Sequence, residues 1–138
     1  MSDSGFDPII GALNTALNLR LVNQNVVSSN IANADTPGYK AKRVEFESAL
    51  RDALGVGNTL SPSANSLKHI VHRSTDPVEP EIYDDPNGVE SLDGNTVDRA
   101  AEMVTLAENQ LLYDSAVEML KRKLGMLKYA VSEGGGNR

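Results

Sequence analysis

The strongest constraint on this chain is a line of residues in its last third. Met103, Leu106, Gln110, Tyr113, Val117, Leu120, Leu124, Leu127 and Val131 follow one another at alternating steps of three and four. The mean step is about 3.5 residues, the repeat at which an α-helix keeps one seam turned toward a partner helix. Gln110 is the one clearly polar member, and a lone polar residue in such a seam sets register at some cost in stability. A helix across Thr96 to Ser132 would run roughly 50 Å at about 1.5 Å per residue. A helix of that length cannot cover its own seam, so another helix must.

The other end of the chain carries a matching line. Phe6, Ile10, Leu13, Leu17, Val27 and Ile31 keep the same spacing, with Arg20 and Gln24 interrupting the middle. Asp7-Pro8 is a helix start, since Asp caps free amides and Pro is tolerated in the first turn. The pattern predicts a helix from about Pro8 to Asn33, roughly 40 Å long. It should stop at Ala34-Asp35-Thr36-Pro37-Gly38-Tyr39, because the residue before a proline is pushed out of the helical region. Pro37-Gly38 fits the central positions of a type II turn, with Gly supplying the positive φ. Asn30 and Asn33 in the last turn can satisfy loose carbonyls.

Between these ends the order thins. Val44, Phe46, Leu50 and Leu54 suggest a short amphipathic helix from near Glu45. Gly55 to Asn58 and Ser61 to Ser66 are turn and loop chemistry, after which Leu67 to His72 reads as one short strand and Glu81 to Tyr83 as another. Such a segment has too few apolar groups to fold by itself. The C-terminal helix then starts at Asn95-Thr96-Val97-Asp98, with acids toward its beginning and Lys121, Arg122, Lys123 and Lys128 toward its end, as the helix dipole favours. The expected fold is mainly α: residues 1–35 and 96–138 form long terminal helices packing as an antiparallel, coiled-coil-like pair. Residues 36–95 form an irregular middle with at most short β-strands. No third long helix exists to complete a bundle, so burial completed by other subunits is the better account of both seams.

Chemistry finds little purchase here. The chain has no cysteine, which removes disulfides and thiolate metal sites. His69 and His72 have no third ligand at suitable spacing. The acidic run from Glu79 to Asp85 resembles a calcium loop only faintly, because Pro86 and Val89 stand where a ligand and the obligatory Gly belong. No nucleophile elbow, phosphate-cradling glycine loop or placed carboxylate pair is present, so no catalytic, cofactor or metal residue is assigned. A formal charge of −6 argues against nucleic acid as a partner. No run approaches the roughly 20 apolar residues of a membrane span, and the N-terminus shows no cleavable secretory signal.

One stretch is distinctive as a motif. Asn30-Ile-Ala-Asn33-Ala-Asp-Thr36-Pro37-Gly38-Tyr39, at the end of the first helix, resembles the signature of the bacterial flagellar rod, hook and hook-associated family. Ser91-Leu-Asp-Gly-Asn-Thr-Val-Asp98 and Ala107-Glu-Asn-Gln-Leu-Leu-Tyr113 look like the proximal rod members of that family, with the neighbouring rod protein as nearest competitor. The resemblance implies a structural, non-enzymatic subunit of the periplasmic drive shaft, exported by the flagellar type III apparatus without a cleaved signal. It implies partners in the other rod proteins, the rod-base adaptor and the MS ring. A soluble export adaptor or chaperone that clasps amphipathic helices is the alternative.

Overall fold

Proline at the first position of a helix loses no hydrogen bond, since that amide would be free anyway, and helix α1 runs from Pro8 to Ala32. The computed structural model describes residues 8–54 and 79–134; Phe6 and the strand expected at Leu67–His72 lie outside them. The first helix closes by tightening its last turn. The Asn33 amide reaches both Ser29 O (3.0 Å) and Asn30 O (3.1 Å), and Ala34 N reaches Ile31 O (3.2 Å). Tyr39 N then bonds Thr36 O at 3.2 Å across Pro37-Gly38, and Gly38 has a φ of 71°. This is the turn expected from the Pro-Gly pair.

The chain next forms strand β1 (Lys42–Val44) and helix α2 (Phe46–Leu54), and later strand β2 (Ile82–Asp84). The strands pair antiparallel with Lys42 opposite Asp84, Arg43 opposite Tyr83 and Val44 opposite Ile82. Bonds from Glu45 N to Glu81 O and from Asp85 N to Ala41 O lengthen the ladder at both ends. Strand β1 has no local signal: Lys-Arg-Val is short and polar, and only pairing with distant β2 makes it a strand. Helix α2 packs on α1 and buries Ala49, while Phe46 lies under the Arg20 guanidinium at 4.8 Å.

Helix α3 spans Arg99–Gly134. Asp98 caps it, its Oδ1 accepting from Ala100 N (3.0 Å) and Ala101 N (3.1 Å). The helix begins after Thr96 because Asn95 and Thr96 are committed elsewhere: Asn95 Oδ1 takes Val97 N, and Thr96 Oγ1 takes Ala41 N. Helices α1 and α3 pack on each other. Asn30 meets Glu102 and Asn23 meets Asn109, so the residue numbers run in opposite senses and the pair is antiparallel. Continued along the axis, that register sets Pro8 opposite the turn around Lys123. The turns from Leu124 to Gly134 therefore project past the described start of α1, by about 16 Å.

The apolar core among the described residues is small. Ile10, Leu17, Leu19, Val27, Ala41, Ala49 and Ala116 are buried, and three of these are alanine. Asn30, Asn95, Glu102 and Asn109 are buried beside them. On α1, Ile10, Leu17 and Val27 are covered, and Leu13 and Ile31 are half-buried. On α3 the covered line is Glu102, Asn109 and Ala116, at seven-residue spacing, one position before Met103, Gln110 and Val117. The expected C-terminal line splits accordingly. Leu106, Tyr113, Val117 and Leu120 are half-buried, while Met103, Gln110, Leu124, Leu127 and Val131 are exposed. The polar residue at the helix–helix contact is Asn109; Gln110 faces outward and bonds Asp114 Oδ1.

Candidate functional site

Two features stand out: a buried polar junction where the helices meet the strands, and an uncovered apolar face on α3. The junction centres on Asn30, which has no exposed surface. Its Nδ2 donates to Lys42 O (2.9 Å) and to Glu102 Oε2 (3.0 Å). Its Oδ1 accepts from Lys42 N (2.9 Å) and Tyr39 OH (3.3 Å). Both donors and both lone pairs of the amide are used, the full capacity of an Asn side chain. One residue thereby ties α1 to the turn, to β1 and to α3.

Glu102 is 1% exposed and is a buried charge, a costly state unless it is paired and hydrogen-bonded. Arg43 supplies the pair, with Nη1 at 2.5 Å from Glu102 Oε1 and Nε at 2.9 Å from Asp85 Oδ2. Burial by itself would lower the Arg43 pKa, but hydrogen bonding and charge from Glu102, joined by Asp85, outweigh it and hold the pKa above its ordinary value. The strand positions the guanidinium between an acid from each flanking segment. Desolvation lowers the Arg20 pKa, while on the exposed strand surface the hydrogen bond to Asp84 raises that of Lys42.

Asn95 closes the junction from the other side. Its Nδ2 donates to Asn33 O (2.9 Å), Ala34 O (3.0 Å) and Thr36 O (2.8 Å), so a residue just ahead of α3 takes up the loose carbonyls after α1. Asn33 turns inward on its own helix: its Nδ2 donates to Ser29 O, and its Oδ1 accepts from Thr36 Oγ1. Gly38 N donates to Asp93 O at 2.9 Å, and Gly94 has a φ of 80°. A Cβ on Gly94 would lie 3.4 Å from Gly38 Cα, so the two glycines let the turns touch. The motif residues Asn30, Asn33, Thr36, Gly38 and Tyr39 thus all enter one network. Pro37 is exposed and shapes the turn.

Sequence reading missed Glu102, Arg43, Asn95 and Asn109. Asn109 Nδ2 bonds Arg20 O (2.9 Å) and its Oδ1 accepts from Asn23 (3.2 Å), making a second polar clamp between the helices. A signal existed: Glu102, Asn109 and Ala116 keep the heptad interval. A search for apolar seams passes over a line whose first members are Glu and Asn.

The second feature is surface. Val104, Leu111, Leu112, Met119, Met126, Tyr129 and Val131 of α3 are all exposed, from 48% for Leu112 to 77% for Val131. At about 100° per residue, Val104, Leu111, Leu112, Met119, Met126 and Tyr129 share one side of the helix and Val131 lies on the other, and exposed apolar rows of this kind mark interaction surfaces. Among the described residues no cluster of acids and histidines could hold a metal ion, and no helix is long and apolar enough to cross a membrane. A cavity of about 530 Å³ beside the start of α3 is lined by Arg43, Asp85, Asp98 and Arg99. These charges are already engaged with Glu102, Asp35, one another or the α3 amides.

Comparison with known proteins identifies the context. The family model for flagella basal body rod proteins matches residues 11–40, the stretch holding most of α1 and the Thr36–Tyr39 turn. The rod protein FlgB of Yersinia enterocolitica is 34% identical over 135 residues, 93% of this chain and 98% of that one. This chain belongs to the FlgB family of flagellar basal body rod proteins. FlgB of Cereibacter sphaeroides is 37% identical over 128 residues, covering 93% and 97% of the two chains. FlgB of Escherichia coli is 37% identical over 117 residues, covering 81% and 85%.

Proposed function

We propose that the chain is a structural subunit of the proximal rod of the flagellar drive shaft. The observation that carries this reading is the uncovered apolar face of α3 in a member of the FlgB family. The antiparallel α1–α3 pair forms a stave in the wall of the rod. The polar junction fixes the turn region and the strands to that stave, so torque reaching one segment passes to the others. The projecting turns from Leu124 to Gly134 and the row from Val104 to Met126 are buried by adjacent subunits; Met103, Leu106, Gln110, Tyr113, Val117, Leu120, Leu124, Leu127 and Val131 supply the side chains on and beside that contact. Neighbouring rod proteins, the rod-base adaptor and the MS ring cover these faces in the periplasm. The chain reaches them through the flagellar type III export apparatus, and its role involves no catalysis.

Support comes from energetics as well as family. Among the described residues, four buried polar and seven buried apolar side chains leave a narrow margin over the conformational entropy of ordering two long helices. Subunit contacts that bind only the folded form add to that margin. The test is direct. Purified basal bodies should contain the chain, and circular dichroism of the isolated protein should show less helix than in the assembled rod. A chain missing from basal bodies and held instead in cytoplasmic complexes would overturn the reading.

A further inference from the structure

The turn from Ser91 to Gly94 holds an apolar side chain out in solvent on a rigid frame. Leu92 is 112% exposed and nearby Val89 is 87% exposed, the most exposed large apolar residues among those described. The frame around them is well bonded. Gly94 N reaches Ser91 O (2.9 Å), Ser91 N reaches Asn95 O (2.8 Å), and Asp93 O accepts from Gly38 N (2.9 Å). Lys40 Nζ bridges Gly94 O and Glu90, both at 3.1 Å. Ordering a loop around an apolar tip gains nothing within the chain unless the tip is buried elsewhere.

Charge indicates where. Residues 79–98 contain seven carboxylates and no Lys or Arg; Lys40, Lys42 and Arg43 pair with Glu90, Asp84 and Asp85, and Asp98 caps α3, so the acidic surplus is carried by Glu79, Glu81 and Asp93. The stretch from Glu118 to Val131 has the opposite balance: Lys121, Arg122, Lys123 and Lys128 against Glu118 alone. The same stretch exposes Met119, Leu124, Met126 and Leu127. An acidic loop with an apolar tip thus has its complement, a basic stretch of helix with exposed apolar side chains around it, on the same kind of molecule. It cannot be the same copy. Arg99 to Met126 spans roughly 40 Å along α3, so the loop and the basic stretch lie far apart on one chain.

From this complementarity we infer that the Val89–Asp93 loop of one subunit docks on the Lys121–Lys128 region of α3 in a second copy. The contact is head-to-tail, joining two different patches. Contacts of that type leave both patches free at the ends and build rings or open helical assemblies rather than closed dimers. Opposite charges fix register and orientation while Leu92 seats among the methionines and leucines. The inference rests on the rod reading and names its partner at this surface.

Zero-length carbodiimide cross-linking of native basal bodies, followed by mass spectrometry, tests it with the unaltered protein. The expected product joins a carboxylate of residues 79–93 to Lys121 or Lys128, which the separation along α3 makes intermolecular. The absence of cysteine permits a second test, with Leu92→Cys and Met126→Cys on separate co-expressed chains. Oxidation should give a disulfide-linked dimer only when both chains are present. Basal bodies that contain the chain and yield other carboxylate–lysine links, but neither of these products, overturn the docking contact while leaving the rod reading intact. A chain absent from basal bodies overturns both.

Discussion

Replacing Asn30 tests the junction most sharply, because its amide has four partners and no exposed surface. In Asn30→Ala, Tyr39 OH still has Ser29 Oγ at 3.4 Å, and Glu102 keeps Arg43 on its other oxygen. Lys42 N, Lys42 O and Glu102 Oε2 lose their partner. A buried polar group left unsatisfied costs about 1–3 kcal/mol, and water entering the vacated space recovers part of that. A net loss of about 3–4 kcal/mol follows, or roughly 10 °C in Tm. Asn30→Asp keeps the shape but turns the donor into an acceptor facing Lys42 O and Glu102 Oε2. Two carboxylate charges about 3 Å apart repel by roughly 5 kcal/mol at an effective dielectric near 20, an amount Arg43 partly offsets. The Asp variant should therefore be the less stable by about 1–2 kcal/mol at pH 7, although it retains more atoms.

The pH dependence adds a check of sign. Like charge raises the new carboxyl's folded pKa above its unfolded value near 4. A raised folded pKa favours the folded state below the unfolded value and withdraws that support as pH rises through the folded one. The gap between Asn30→Asp and Asn30→Ala should narrow toward pH 4 and widen toward pH 7. Urea unfolding followed at 222 nm, in sucrose to secure the native baseline, measures both. An Asn30→Ala cost under about 1 kcal/mol, or an Asp variant at least as stable as the Ala variant at pH 7, would refute the view that a fully satisfied amide organises this junction.

Other substitutions separate folding from assembly. Leu124→Asp should leave the isolated chain within about 0.5 kcal/mol of wild type, since the site is exposed, yet abolish rod assembly as seen in purified basal bodies; intact motility would sink that placement. Leu19→Ala, at a position 1% exposed, should do the reverse first, costing about 2–5 kcal/mol in urea unfolding. Asn95→Ala removes the donor to three carbonyls after α1 and should cost about 2–3 kcal/mol, with faster amide exchange confined to residues 33–41 and 91–98 before global unfolding. The hydrogen bond to Asp84 raises the Lys42 pKa, so its contribution is complete below the ordinary lysine value near 10.4 and lost as pH climbs past the raised one; NMR titration of the Lys42 side chain should show this, and Asp84→Asn should remove the upward shift.

The two long helices were legible because hydrophobic period, Pro8, the Thr36-Pro37 stop and the Asp98 cap are local signals, each acting within a few residues. The Pro37-Gly38 turn was legible for the same reason, since φ preferences belong to single residues. Strand β1 was not: three residues of Lys-Arg-Val have no periodicity to read, and their conformation comes from a partner some 40 positions away. The helix-facing line of α3 was displaced by one residue from the apolar one for a related cause. Period specifies that a seam exists, while the rotation of the helix about its axis is chosen by what lies opposite.

On its own, the order of amino acids determined the lengths of the two long helices, where the first one stops, and the motif that places the chain in its family. Tertiary structure alone decided that Glu102 and Asn109, rather than Met103 and Gln110, face α1, and that Asn30 and Asn95 lock the junction from opposite sides. The physical reason is range. Propensity, capping and turn geometry are settled between near neighbours, whereas the worth of a buried carboxylate or amide is set by whether Arg43, Lys42 or a distant carbonyl arrives to meet it.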